Sequence, residues 1–149
     1  MNIDGTVVNG ITLAVATPSA LALFPGQTNT SVGLVTVTST TPSWTLSVKD
    51  SSTGYPSGHT VGHMAKLNGT GTCSLIGGFA PSLSQLNSPL SWDATATGGS
   101  SGTLTGTNQT VKNGSLVEAI PVTYSQPVSA SEDLSTGDCY RVVVTYTVS

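Results

Sequence analysis

Along most of this chain the apolar residues recur at every second position, the period of a strand with one face on a core and the other in water. Trp44, Leu46 and Val48 alternate with Thr45, Ser47 and Lys49. Tyr140, Val142, Val144, Tyr146 and Val148 alternate with Arg141, Val143, Thr145 and Thr147, a run that reads as one continuous strand. Ile11, Leu13 and Val15 form another set, followed after Pro18 by Leu21 and Leu23. Val35 and Val37 lie in a β-branched run from Val32 to Thr41. Ile120, Val122 and Tyr124 mark a further strand, in which Pro121 points to an edge or a bulge because it has no N–H for a ladder. No window longer than a turn or two carries helical spacing with caps, so helix is minor.

Two stretches break the alternation. Residues 50–62 and 93–114 are dense in Gly, Ser, Thr and Asn and read as long loops or weak hairpins. Strands resume on both sides of each, which keeps the chain in one domain. The expected fold is all-β, a single antiparallel β-sandwich of jelly-roll or Ig-like kind with little helix. Residues 1–24 are expected to form an N-terminal strand segment and residues 25–149 the sandwich body.

Composition narrows the function. Only 7% of the 149 residues are charged, against roughly 25% in an ordinary soluble domain, and about three in ten are Ser or Thr. Such a surface presents hydroxyls and backbone, which suits an exported structural or adhesive protein better than an enzyme. A hydrophobic content of 37% and a mean hydropathy of +0.14 favour collapse over disorder. The net charge of -3, with Lys49, Lys66, Lys112 and Arg141 as the only cations, leaves no footprint for phosphates and argues against nucleic acid as a partner. The most apolar segment, Ile11 to Phe24, is interrupted by Thr12, Thr17, Pro18 and Ser19, well short of the ~20 residues of a membrane helix. Met1-Asn2-Ile3-Asp4 has neither a basic nor an apolar leader region, so export implies a chain read without its leader.

Cys73 and Cys139 lie 66 positions apart with no CxxC and no zinc-finger spacing. One long-range disulfide is expected, with two buried thiols as the alternative. The bridge would place the chain outside a reducing cytosol.

Two segments resemble a known class. Ser43-Trp44-Thr45-Leu46-Ser47-Val48-Lys49 resembles the Trp-x-Leu motif of WxL-type surface proteins of Gram-positive bacteria. The ending Gly137-Asp138-Cys139-Tyr140-Arg141-Val142-Val143-Val144-Thr145-Tyr146-Thr147 is similar to the last strand of that class, of camelysin-type biofilm matrix-fibre subunits and of archaeal bundling pili. A second Trp-x-Leu near the C-terminus is missing, and Val142-Val143-Val144 stands in that strand. The resemblance implies a secreted β-sandwich. Its fibre-forming members imply donor-strand assembly, with the N-terminal segment completing the sheet of the next subunit and Val7, Ile11, Leu13 and Val15 as anchors. The plainer reading makes this segment the first strand of its own sandwich.

Signals for chemistry are thin. Gly98-Gly99-Ser100-Ser101-Gly102 matches G-x-S-x-G but lacks the strand and helix that give that motif meaning. His59 and His63 share a strand face if one runs there, yet exposed loop histidines are expected and no metal site is assigned. Glu132, Asp133 and Asp138 read as a solvated turn rather than a calcium loop. Lys49 and Lys112 are the candidates for an isopeptide crosslink, without supporting spacing. Asn29, Asn68, Asn108 and Asn113 all satisfy N-x-[ST] and are candidate glycan acceptors. The expectation is a non-enzymatic, cofactor-free subunit of an extracellular filament or biofilm matrix fibre at the cell surface, with its own copies as partner. A carbohydrate-binding module using Trp44, Trp92 and the tyrosines is the runner-up, a viral capsid or decoration protein the third reading, and a hydrolase the last.

Overall fold

The computed structural model describes residues 10–51 and 53–149. It is all-β, with antiparallel sheets packed face to face, as the alternation predicts. The strands are β1 Ile11–Ala16, β2 Gln27–Ser39, β3 Trp44–Asp50, β4 His63–Thr70, β5 Gln85–Pro89, β6 Ser91–Asp93, β7 Ser101–Thr103, β8 Gln109–Gly114, β9 Glu118–Val128, β10 Asp138–Arg141 and β11 Val144–Val148. They form a five-stranded sheet β1-β2-β9-β6-β7 and two three-stranded sheets, β11-β3-β8 and β10-β4-β5. Single 3-10 turns at Cys73–Leu75 and Thr95–Thr97 are the helical content among the described residues.

The core lies between the five-stranded sheet and β11-β3-β8. Val35, Val37, Ile120, Val122 and Tyr124 meet Trp44, Leu46, Val48 and Val111, with Leu90, Trp92 and Leu104 closing one side. These are the alternate positions of β2, β3, β8 and β9, so period two in the sequence becomes burial on one face. Both tryptophans are buried. Trp44 donates its indole N–H to the Leu116 carbonyl, and its ring lies so close to Gly114 that a Cβ there would overlap it.

The β2–β9 ladder runs for eleven consecutive pairs, from Gln27 opposite Val128 to Val37 opposite Glu118. Pro121 sits in mid-strand with no register shift. Thr40 donates its N–H to the Gly10 carbonyl at the end of the β1–β2 ladder, so even residues of β2 bond to β1, odd residues bond to β9, and odd residues of β9 face β6. The β6 pairing stops at Asp93 opposite Thr123, so the missing N–H of Pro121 faces a locally uncovered edge.

The terminal run from Tyr140 to Val148 is two strands rather than one. Residues 138–141 pair with β4 and residues 144–148 pair with β3, in different sheets. The break is held by the loop after β3. Val143 donates its N–H to the Tyr55 hydroxyl (2.8 Å), and its carbonyl accepts the Ser51 N–H (2.9 Å). Tyr55 in turn donates to Asp50 Oδ1 at 3.0 Å. Asp50 is 2% exposed, and its other oxygen accepts the Gly62 N–H at 2.7 Å. Gly62 has φ +86°, and a side chain there would strike the Leu104 carbonyl. Alternation in the sequence is blind to this switch, because both halves keep the same period.

Candidate functional site

The predicted disulfide is present: Cys73 and Cys139 are bridged, with Cα atoms 5.4 Å apart. It ties the turn after β4 to β10, and Arg141 reinforces the tie by donating from Nη2 to the Cys73 carbonyl at 2.8 Å.

Ile11, Leu13 and Val15 fall together on β1, which pairs over its whole length with β2 of its own chain, from Ile11 opposite Ser39 to Ala16 opposite Leu34. Val7 lies outside the described residues. β1 is an edge strand. Its even residues bond to β2, so the backbone groups of Ile11, Leu13 and Val15 point the other way, toward β11. β11 is also an edge. Thr45 and Ser149 exchange both backbone bonds, which assigns the odd residues of β11 to β3 and turns the backbone groups of Val144, Tyr146 and Val148 toward β1. The two strands approach within 8 Å, Cα to Cα, yet share no ladder, whereas paired strands stand about 4.8 Å apart. Among the described residues the sandwich therefore has an unzipped seam, with a row of backbone donors and acceptors on each lip that no described strand pairs.

At the upper end of the seam, where β1 gives way to the crossover of residues 17–26, the lips part into a cleft of about 640 Å³. Val15, Pro18 and Leu21 form one wall, Val142, Val144 and Tyr146 the other, with Met64, Leu90 and the Cys73–Ser74 turn at its sides. Tyr124 and Tyr146 share a hydroxyl–hydroxyl bond of 2.5 Å at the cleft. Burial raises the pKa of both, so each phenol stays protonated beyond the ordinary tyrosine range. Arg141 also lines the cleft, and no carboxylate pairs with it among the described residues. A second groove of about 390 Å³ follows the Lys66–Asp138 ion pair. No protein family, curated protein or solved structure matches this chain.

The other candidate residues are scattered. His59 and His63 are half-buried rather than exposed. Nε2 of His59 bonds the His63 carbonyl and Nδ1 of His63 bonds the Leu86 carbonyl, both at 2.7 Å, while His59 stacks on Tyr55 with centroids 3.8 Å apart. Their nitrogens serve the loop, and no group of three ligating side chains is found among the described residues. The acidic residues are divided: Glu132 caps the N–H groups of Asn87 and Ser129, Asp138 pairs with Lys66, and Asp133 is exposed. Ser100 donates to the carbonyls of Thr110 and Val111, the placement of a strand-bridging hydroxyl. Lys112 is paired with Glu118 at 2.5 Å, which with the Ser115 N–H holds the Glu118 carboxyl below its ordinary range. Lys49 is half-buried on β3.

Of the four sequons, Asn68, Asn108 and Asn113 are exposed. Asn29 is buried, with Nδ2 donating to the carbonyls of Gln27 and Gln126 and Oδ1 accepting the Phe24 N–H, so the nitrogen a glycan would occupy is already used. Asp50, Tyr55 and Leu116 went unnoticed in the sequence. Tyr55 was visible only as a lone aromatic in a Gly- and Ser-rich stretch, and Leu116 as an apolar residue among turn formers.

Proposed function

We propose that this chain is a structural subunit of an extracellular filament or biofilm matrix fibre, in which the N-terminal segment of one copy completes the sheets of the next. The observation that carries this reading is the seam between β1 and β11, with backbone on both lips unpaired among the described residues, beside an apolar cleft. A third strand between the lips needs two strand spacings, about 9.6 Å, and the lips stand within 8 Å. The incoming strand therefore replaces the resident β1 rather than joining it. The resident pairing of Ile11–Ala16 with β2 supplies the register that the neighbour's strand adopts. The ten residues 17–26 form the connection that lets β1 leave. A chain of 7% charge raises little repulsion between copies, and glycans on Asn68, Asn108 and Asn113 supply solubility. The disulfide and the absence, among the described residues, of a helix long and apolar enough to cross a membrane are consistent with an extracellular setting.

A carbohydrate-binding role is disfavoured by one observation: Trp44 and Trp92 are buried and offer no stacking platform. The test is electron microscopy of the purified chain beside one lacking residues 1–16. Filaments from the first, a soluble body from the second, and saturable binding of a peptide of residues 6–16 to that body are the expected results. Monomers from the full chain at every concentration would refute the reading.

A further inference from the structure

The turn between β8 and β9 breaks two local rules at once. Leu116 has φ +52°, the left-handed region that favours Gly or Asn, and it stands 55% exposed beside Val117 at 62%. No packing of its own side chain explains the strain. The backbone is pinned in place: the Leu116 carbonyl accepts the Trp44 indole N–H at 3.1 Å, and its N–H donates to the Thr41 carbonyl at 3.3 Å. A strained, preorganised, exposed apolar tip points to a contact outside the chain.

The ladders fix where that tip lies. Trp44 pairs with Gly114 and Val37 with Glu118, so the tip is at the end of the sandwich where β1 begins at Ile11 opposite Ser39. The apolar cleft is toward the other end, around Val15, Leu21, Val142 and Val144. Ser74, exposed in the turn after β4, lines the cleft at its side.

Resting on the homopolymer reading above, we infer that the Leu116–Val117 tip of one copy seats in the cleft of a second copy. A knob at one end and a hole toward the other make a head-to-tail contact that does not close on itself, which is the geometry of a filament. The cleft volume lies within the roughly 300–1,000 Å³ that buries small apolar groups, and the two aliphatic side chains meet a lining of Val, Leu, Met and Tyr. This contact does not require β1 to leave its own sheet.

The test uses two variants at exposed positions. Leu116→Gly removes the knob and relieves the φ, so its melting temperature equals or exceeds the parent's. Ser74→Trp fills the cleft from its rim and leaves the tip intact. By sedimentation velocity, each variant alone is expected to need at least about tenfold more protein to assemble than the parent. Mixed together, they are expected to form a 1:1 dimer and nothing larger, since one working tip and one working cleft remain. Either variant assembling like the parent, or a mixture without the dimer, overturns the tip-in-cleft contact and leaves the homopolymer reading standing. A parent that stays monomeric up to about 1 mM, the scale of the weakest specific contacts, overturns both.

Discussion

The β2–β9 ladder and the C-terminal run from Tyr140 to Val148 carry the same alternation, and they end in opposite conditions. β9 lies inside a sheet, and its inward residues Ile120 and Val122 are fully buried on the core. The C-terminal run changes sheets at Val142–Val143, and both of its halves are edges whose apolar residues remain half-exposed. Period two says that one face of a strand is apolar. It does not say how many neighbours the strand has, and neighbours decide whether that face is sealed.

This difference predicts a graded response to substitution. Reducing the Cys73–Cys139 bridge removes the covalent tie between β10 and the turn after β4. A loop of this length is expected to cost about 4 kcal/mol, read as a fall in melting temperature under reductant with no free thiol titratable beforehand. Ile120→Ala, in the sealed ladder, is expected to cost about 3 kcal/mol by chemical denaturation, from lost burial plus the cavity left behind. Tyr146→Phe removes one half of the hydroxyl pair at the cleft and is expected to cost about 1 kcal/mol. Val143→Ala, in the open run, is expected to change stability by less than about 0.5 kcal/mol. Equal losses at Ile120 and Val143 would erase the contrast between the two regions.

The contact between the two regions titrates on the alkaline side. Burial raises the pKa of Tyr55 and Tyr146, at the break and the cleft, and of Tyr124 on β9, whose hydroxyl meets that of Tyr146, so their contribution is complete below the ordinary tyrosine value near 10 and is lost as pH rises above it. Glu118 at the foot of β9 is held low, chiefly by Lys112, so its contribution is present above the ordinary carboxylate value and is lost as pH falls through its lower folded value. Denaturation midpoints across pH should therefore fall on the alkaline side in the parent and less so in Tyr146→Phe. On the acid side, Lys112→Met should blunt the fall.

Much of the fold was legible because the inward set of these strands is large, apolar and strictly alternating: Val35 and Val37, Trp44, Leu46 and Val48, Ile120, Val122 and Tyr124. The short strands β5 to β7 were obscured, since their inward residues are single ones such as Leu86 and Trp92, spaced by turns, and β4 buries only Ala65 and Leu67 before its run of Asn, Gly and Thr. The disulfide was legible by count. The seam was not, because unpaired backbone has no sequence signal. The strand break at Val143 depends on Tyr55 and Asp50, which lie roughly ninety positions earlier in the chain. The buried sequon at Asn29 likewise reflects tertiary contacts with Phe24 and Gln126 that no local motif encodes.

Crosslinking between copies tests strand replacement most directly. Thr12 and Thr38 face each other in the β1–β2 ladder and both are exposed, at the Cα spacing of about 5.5 Å that a disulfide spans. Thr12→Cys and Thr38→Cys chains assembled together under oxidising conditions cannot form this bridge within either copy. Strand replacement predicts covalent dimers of one copy of each on a non-reducing gel, in the assembled material and not in the monomers. Filaments in which the two copies stay unlinked would contradict it.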